Sequence, residues 1–443
     1  MTVEAAAFDA LHPPDRAKID ACVHCGFCLP SCPTYVLWQE EMDSPRGRIY
    51  LMKAALDGRV AMDESFVGHF DACLGCMACV TACPSGVQYA PLLEATRAQI
   101  ERRHPRGLLD RVFRSALFAT IPHPGRLRVA LMPLAFWRPV ATFLRSSGIL
   151  QRLPARLAAL AELAPPVTWP GLFASLPART PAVGAARRTV GLVVGCVQRY
   201  VFPQVNKATV TVLAAEGCDV LVPGQQGCCG ALALHAGRRA DGQALARQMI
   251  ATFERAGVDE IVVNAAGCGS AMKEYGDLLA DDPAWASRAR AFSARVRDVS
   301  EVLSELGPPR APRASMPLRV AYQDACHLAH AQGIRQPPRD LLASIPGVTV
   351  VPIAEPELCC GSAGIYNLVQ PGPARDLGDR KLAAIREARP DVVASANPGC
   401  MIQIAAAGAR HGVPLRVVHP VELVAEAIAR ADGNGQRAKD ASR

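Results

Sequence analysis

The stretch CVHCGFCLPSCP, residues 22–33, places four cysteines within eleven residues, and a proline follows the last of them directly. Gaps of two residues allow three thiolates from one tight loop to converge on a single iron–sulfur cube. The fourth cysteine lies too far along to join them comfortably, and in two-cluster ferredoxins it ligates the other cluster. The stretch therefore predicts half of a two-cluster site.

A second copy, CLGCMACVTACP at residues 73–84, follows 51 residues later with the same internal spacing. Zinc prefers two pairs of ligands along the chain, which fits this spacing less well. We expect two [4Fe–4S] clusters with exchanged fourth ligands. The expected ligands are Cys22, Cys25, Cys28 and Cys83 for the first cluster, and Cys73, Cys76, Cys79 and Cys32 for the second.

The composition of the whole chain is that of an ordinary globular protein apart from its 17 cysteines among 443 residues. The first 20 residues carry acids and prolines where a signal peptide has a basic patch and an apolar run. Clustered cysteines in a reducing compartment favour metal ligation, and an odd count argues against a full set of disulfides. We therefore expect a cytoplasmic protein of two or three domains.

Between the two copies, residues 43–58 read as a helix that starts at the N-cap Ser44 and stops at Gly58. Two arginines in its first turns, Arg46 and Arg48, have two interpretations. They form a solvated helix start, or they place positive charge near a cluster and favour its reduced form.

Residues 101–160 contain 11 arginines and only two acids. Their longest run without a charged residue or a histidine, Val129 to Trp137, is nine residues, far short of a membrane span. Three interpretations remain: a basic amphipathic surface on an anionic membrane, a docking face for an acidic partner, or a helical linker packed on its own domain. Basic and aromatic residues are not interleaved elsewhere, which excludes nucleic acid.

From residue 188 onward the pattern alternates between short apolar strands and helices, which predicts parallel α/β units. The pattern occurs twice, and matched cysteines are offset by 130, 131 and 132 residues, which indicates an internal duplication. Loops that follow parallel strands gather at one edge of a sheet. The thiols expected there are Cys196, Cys228, Cys229 and Cys268 in the first repeat, and Cys326, Cys359, Cys360 and Cys400 in the second.

Each repeat contains a Cys-Cys-Gly turn, in which Gly230 or Gly361 lets the backbone bend tightly around a bulky inorganic group. Four thiolates suit an additional [4Fe–4S] cluster and a zinc ion equally well, so the metal stays open here. His327 and His330 follow Cys326. They tune or ligate the metal, they carry protons to an acceptor, or they cap a helix or fill a pocket.

Two further expectations concern residues beside these loops. The run KEY at residues 273–275 reads as a helix surface, and Cys218 reads as a core residue. The expected fold class is α/β plus α: a helical two-cluster ferredoxin-like domain, then two duplicated α/β Cys-Cys-Gly domains. The expected divisions are 1–100 for the ferredoxin-like domain, 101–187 for the basic segment and linker, 188–310 and 311–431 for the repeats, and 432–443 for a disordered tail.

The motifs CVHCGFC, PRGRIYL, GCCGA, GCGSAMKEYG and LCCGSAG resemble those of the iron–sulfur subunits of glycolate oxidase. The broader class includes iron–sulfur subunits of anaerobic glycerol-3-phosphate dehydrogenase, of lactate utilisation and of heterodisulfide reductase. The resemblance implies a complex with a FAD-binding subunit that oxidises glycolate to glyoxylate. This chain would then take the electrons onward, and we expect a quinone-type acceptor. The alternative to a purely cytoplasmic location is peripheral binding to the inner membrane.

Heterodisulfide reductase repeats end in a C-x-x-C pair, but the corresponding places here, GCGS and NPGC, hold one cysteine each. A five-cysteine cluster and disulfide reduction are therefore not expected. The chain also lacks a G-x-G-x-x-G motif after a strand, and hydride removal needs a two-electron acceptor such as a flavin. We expect a non-catalytic electron-transfer subunit. The alternatives are the same role for a lactate or glycerol-3-phosphate dehydrogenase, an enzyme that reduces an acceptor at the Cys-Cys-Gly edge, and a redox-sensing or metal-scaffold protein.

Overall fold

The computed structural model describes residues 7–136, 152–165 and 167–441, with side chains described as far as residue 433. The central part of the basic segment, residues 137–151, lies outside the described residues, as do residues 1–6.

The amino-terminal region is helical throughout its described part. Ser44 accepts a hydrogen bond from the Gly47 amide at the start of the predicted helix, and Gly58 follows its end with a φ of +67°. The helix is therefore confirmed with both of its predicted end residues. The helices of this region are Arg16–Asp20, Pro33–Trp38, Pro45–Leu56, Glu64–Ala72, Ala78–Thr81 and Tyr89–Arg103, with a 3-10 turn at Glu41–Asp43.

The first repeat is built on a five-stranded sheet with the order β1-β3-β2-β4-β5. All neighbouring strands are parallel except β1 and β3, which pair antiparallel. The strands are β1 (Arg179–Thr180), β2 (Arg188–Val193), β3 (Cys218–Leu221), β4 (Glu260–Val263) and β5 (Val296–Asp298). The helices are Val197–Val201, Pro203–Ala215, Ala231–His235, Arg239–Ala256, Ala266–Lys273, Tyr275–Leu278, Ala286–Ser293 and Val299–Glu305.

The second repeat is built on a four-stranded parallel sheet with the order β7-β6-β8-β9, which matches the order β3-β2-β4-β5 of the first. The predicted duplication of an α/β domain is therefore confirmed. The strands are β6 (Leu318–Tyr322), β7 (Val348–Val351), β8 (Val392–Ala394) and β9 (Val417–Val418). The helices are Gln336–Ala343, Tyr366–Val369, Pro371–Ala388, Pro398–Arg410 and Pro420–Ala441, with a π-helical turn at His327–Ala331.

The two repeats pack on each other reciprocally. Helix Pro203–Ala215 of the first repeat lies against helix Pro420–Ala441 of the second. Helix Gln336–Ala343 of the second repeat corresponds to Pro203–Ala215, and helix Val299–Glu305 of the first repeat corresponds to Pro420–Ala441. These two helices also lie against each other. One apolar core holds side chains from both sheets. The contact thus joins each repeat to its counterpart through the same pair of surfaces.

The basic segment joins these parts through the helices Leu108–Thr120, Pro124–Leu131, Ala155–Glu162 and Trp169–Leu172, with a 3-10 turn at Met132–Phe136. Within the residues described, no helix has the length and apolar character needed to cross a membrane. The last helix extends to Ala441, into the tail for which we expected disorder. Its first turns are anchored in the core by Val421 and Val424, and the chain after them has no proline to end the helix.

Candidate metal centres

The first cysteine loop lies at the surface. Cys25 is exposed, whereas Cys22 is half-buried. Burial raises the pKa of the Cys22 thiol, and the nearby thiols of Cys83 and Cys25 raise it further. Gly26 has a φ of +92°, and a Cβ there would stand 2.9 Å from the Arg46 guanidinium, so the loop needs glycine. Cys83 of the second motif has thus crossed to the first.

The second cysteine loop is more deeply buried and receives Cys32 from the first motif. Burial raises the pKa of Cys79, and the neighbouring thiols of Cys76, Cys73 and Cys32 raise it further. Two crossings, one in each direction, are the arrangement that exchanged ligation of two clusters requires.

A buried arginine lies beside this second group of thiols. Arg48 Nη1 is 4.0 Å from Cys32 Sγ, and Arg48 Nη2 is 3.1 Å from the Asp43 carboxylate. Burial opposes ionisation of Cys73, but the charges of Arg48 and Arg97 hold its pKa below the ordinary value. The interpretation of positive charge near a thiol group therefore holds for Arg48. Arg46 pairs with Glu41 at the helix start, and its charge also acts on Cys22 of the first loop, where it opposes the rise in pKa that burial causes.

In the first repeat, the structure gathers the predicted four thiols at the carboxyl edge of the sheet. The thiols form a run of contacts in the order Cys196, Cys228, Cys229 and Cys268. Contact with Cys228 and burial both raise the pKa of Cys196. Gly230 makes the turn with a φ of +81°. Strand β4 ends at Val263, and Cys268 lies in the first turn of the helix that follows, Ala266–Lys273.

In the second repeat, Cys326, Cys359, Cys360 and Cys400 form the corresponding run. Gly361 has a φ of +89°, and a Cβ there would stand 2.6 Å from the Ala374 carbonyl oxygen. This group has polar neighbours.

The polar neighbours distinguish the second repeat from the first. Asn397 Nδ2 is 3.6 Å from Cys400 Sγ, and the buried Lys381 donates to the carbonyl of Glu355. Ala265 occupies the place in the first repeat that corresponds to Asn397. The two groups of thiols thus have different electrostatic surroundings.

Contacts link the four groups of thiols to one another. Cys76 of the second loop packs in one small apolar cluster with Cys359 and Tyr366 of the second repeat. The two repeats meet at their own edges, where the Ala266 amide donates to the Ala396 carbonyl at 3.0 Å. The groups therefore follow one another from the exposed first loop, through the second loop and the second repeat, to the first repeat.

The two candidate histidines bind protein groups at these junctions. His327 Nε2 is 3.0 Å from the Gly75 carbonyl oxygen, and His330 Nδ1 is 3.0 Å from Thr81 Oγ1. Burial lowers the pKa of both imidazoles. Of their three interpretations, these contacts favour pocket filling between the helical region and the second repeat.

Tyr275 is a functional candidate that the sequence assignment misplaced. Residues 273–275 were expected on a helix surface, but the Tyr275 ring is fully buried and stacks on Phe292 at 5.4 Å. Its hydroxyl donates to the Cys229 carbonyl at 2.6 Å and so holds the Cys-Cys-Gly turn. Its i, i+3 spacing from the buried Met272 is the signal that identifies an inward position. Cys218, in contrast, is a core residue as predicted.

All 17 cysteines are free thiols, and 16 of them lie in these four groups. Neutral thiols that contact one another in a buried place must lose protons to bind metal, and the metal then supplies the positive charge they lack. No group of three or more His, Cys, Asp or Glu side chains in the described ranges is arranged to hold a single metal ion.

The fold and the thiol groups define an iron–sulfur protein with a helical dicluster region and a duplicated cysteine-rich domain. Family models match the chain accordingly: a 4Fe-4S dicluster domain at residues 18–87 and a cysteine-rich domain at residues 190–273 and 320–405. A third model, the linker region of the glycolate oxidase iron–sulfur subunit, matches residues 109–164.

Curated relatives extend the match to nearly the whole chain. A probable glycolate oxidase iron–sulfur subunit from Bacillus subtilis is 39% identical over 93% of this chain and 95% of its own length. The glycolate oxidase iron–sulfur subunit from Escherichia coli is 35% identical, over 92% and 94%. Lactate utilization protein A from an Exiguobacterium species is 31% identical over 55% of this chain and 99% of its own length.

This chain belongs to the family of glycolate oxidase iron–sulfur subunits. The dicluster domain makes it the electron-transfer subunit of an oxidoreductase complex.

Proposed function

We propose that the chain receives electrons from a flavoprotein subunit that oxidises glycolate to glyoxylate, and passes them towards a quinone-type acceptor. The names of the full-length relatives support the substrate. Removal of a hydride needs a two-electron acceptor, which FAD on the partner subunit supplies.

The observation that carries this proposal is the continuous run of thiol groups through the protein. Of the 17 cysteines, all of them described, Cys25 alone is exposed, so the run has one end at the surface. From there it continues through the apolar cluster that Cys76 shares with Cys359 to the buried edge of the first repeat. A run of this kind suits electron passage between a surface partner and an interior site.

The ligand assignment belongs to the same proposal. Cys22, Cys25, Cys28 and Cys83 would hold one [4Fe–4S] cluster, and Cys73, Cys76, Cys79 and Cys32 a second, each able to carry one electron. We assign an additional cluster to each repeat in preference to zinc, because zinc has no redox chemistry and would end the run. The ligands would be Cys196, Cys228, Cys229 and Cys268 in one repeat, and Cys326, Cys359, Cys360 and Cys400 in the other.

A membrane surface is the proposed location of the complex, because helix Leu108–Thr120 turns its apolar side outward. Leu109 is 84% exposed and Leu108 is 65% exposed. The charged side of the helix faces inward, where Arg114 and Arg156 pair with Asp110. Leucines that project from a basic segment suit an anionic lipid surface.

The test is anaerobic reduction of the purified chain. Mixed with its flavoprotein and glycolate, the chain should develop the electron paramagnetic resonance signals of reduced clusters, whereas glycolate and the chain alone should give none. Lactate and glycerol 3-phosphate, offered to the same mixture, decide between glycolate and the alternative substrates. Glycolate oxidation by the isolated, flavin-free chain would overturn the proposal.

A further inference from the structure

A cavity of about 520 Å³ lies between helix Tyr89–Arg103, the second cysteine loop and the two repeats. Small-molecule sites commonly have volumes of about 300–1,000 Å³. Its apolar walls include Met77, Val80, Ala95, Leu234, Leu278 and Ala331. The chain thus has room for a flat apolar molecule in a place that the electron-transfer role described above does not use.

The cavity is separated from the second group of thiols by one side chain. Tyr89 lines the cavity, and its hydroxyl oxygen is 3.7 Å from Cys73 Sγ. Met77 and Val80 flank Cys79 along the chain and also line the cavity. A molecule bound here would therefore lie beside the thiols proposed to hold the second cluster.

The polar groups of the cavity are of two kinds. Glu94, from helix Tyr89–Arg103, and Glu274, from the first repeat, supply carboxyl groups. Burial raises the pKa of Glu274 to about 8, helped by the charges of Glu94 and Asp277, and burial also raises the pKa of Glu94. Arg239 lines the cavity as well, and its buried Nε has no hydrogen-bond partner in the part of the chain that the structure describes. An acceptor oxygen in the ligand would satisfy that donor.

We propose that this cavity binds a quinone-class acceptor, with Arg239 directed to a carbonyl oxygen and Glu94 and Glu274 as its proton donors. The inference rests on the proposed function, because reduction of a quinone consumes the electrons that the chain delivers. The ring takes two electrons, and each of the two carbonyl oxygens takes one proton, which gives the quinol. The carboxylates regain their protons from solvent at the mouth of the cavity, where Gln88 and Asp277 are exposed.

The groups that face the two carboxyls come from every wall. They are His12, Arg97, Arg239, Asp277 and His330. His330 is held by Thr81, and Arg97 donates to the Phe70 and His235 carbonyls, so these two are engaged with protein groups. Glu274 is left as the acidic group that stays protonated near neutral pH, and Glu94 lies beside it as a second carboxyl group whose pKa is raised by burial.

Binding is tested first, with anaerobically purified protein and decylubiquinone as the probe. Ala95→Trp fills part of the cavity and should raise the Kd about tenfold or more, a change that corresponds to 1.4 kcal/mol. The matched variant Ala116→Trp, at an exposed position of helix Leu108–Thr120, should leave the Kd unchanged. Iron content, measured in both, reports whether the variants fold.

If Ala95→Trp loses iron, the binding site is mapped instead in the unaltered protein, by labelling with a photoreactive azidoquinone. In the unaltered protein its label should map to His12 or to residues 77–98, 234–278 or 330–331, and excess decylubiquinone should suppress it. Labelling elsewhere, or an unchanged Kd in an iron-replete Ala95→Trp variant, would overturn the cavity as the site.

Turnover of the complex tests the proton donors. With glycolate and decylubiquinone, the rate for the unaltered protein should fall as the pH rises through about 8, where Glu274 loses its proton. Glu274→Gln should bind decylubiquinone normally, turn over slowly and lose this pH dependence, while the exposed control Glu387→Gln should keep it. An unchanged profile in Glu274→Gln would refute its role as donor. Failure of glycolate to reduce the chain would refute the proposed function instead, whatever the quinone binding.

Discussion

Arg48 is the charged side chain whose replacement should change the redox potential of the second cluster most directly. Its Nη1 is 4.0 Å from Cys32 Sγ. Two unit charges at about 4 Å interact by about 4 kcal/mol at an effective dielectric constant of 20. In Arg48→Met, the Asp43 carboxylate loses its partner, and we expect relaxation of the site and water entry to offset about half of this value. About 2 kcal/mol remains, or about 90 mV for a one-electron couple.

The expected result is a potential about 90 mV lower in Arg48→Met, because a positive charge favours the reduced, more negative cluster. Arg48→Lys keeps the charge and should shift the potential by less than half as much. The assay is an anaerobic redox titration followed by electron paramagnetic resonance.

Folding needs a control, because an unpaired buried Asp43 costs about 3–5 kcal/mol. The double variant Arg48→Met/Asp43→Asn removes both charges and should show the same lowered potential with better iron retention. Equal potentials in the unaltered protein and in the double variant would refute the electrostatic reasoning.

Three other predictions address the repeats, the membrane face and stability. The double variant Cys359→Ser/Cys360→Ser should lose iron from the second repeat and keep the dicluster signals. The control variant Cys218→Ser should keep all iron. Equal iron loss in the two variants would contradict the ligand assignment. Leu109→Asp should reduce co-sedimentation with anionic vesicles while binding to the flavoprotein persists, and unchanged sedimentation would exclude this helix as the membrane contact. Folded Glu274 keeps its proton up to about pH 8 whereas the unfolded chain loses it near 4.5, so this group makes stability fall between those values as the pH rises. The melting temperature of Glu274→Gln should accordingly fall less between pH 6 and pH 8 than that of the unaltered protein.

The fold could be predicted from the sequence because its signals are local and repeated. Spacing within each cysteine motif indicates a tight loop, and the constant offset between matched cysteines indicates two equivalent sheets. The helix after Ser44 has both end signals in the sequence. These patterns depend on residues that are close along the chain, where periodicity and capping are informative.

The features that were missed depend on contacts between distant segments. Arg48 has the same local sequence context as Arg46, and only the position of Asp43 and Cys32 in space buries one of them. Tyr275 was placed on a surface because the residues beside it are polar, but its hydroxyl meets the Cys229 carbonyl 46 residues away. The cavity between Glu94 and Glu274 has no sequence signal, since its walls come from four separate parts of the chain.

The reciprocal packing of the two repeats has the form of a homodimer with twofold symmetry. In such a dimer the same patch serves both subunits, and a surface contacted on one copy contacts its counterpart on the other. The repeats satisfy that condition. Helix Pro203–Ala215 contacts Pro420–Ala441, and its counterpart Gln336–Ala343 contacts Val299–Glu305. A single unit of this kind would leave two apolar helix faces open to water, and so would associate with a second copy of itself. Fusion of two such copies into one chain removes the dependence on concentration, and it frees the halves to diverge. Asn397 of the second repeat, whose corresponding residue in the first repeat is Ala265, shows that divergence beside the thiols.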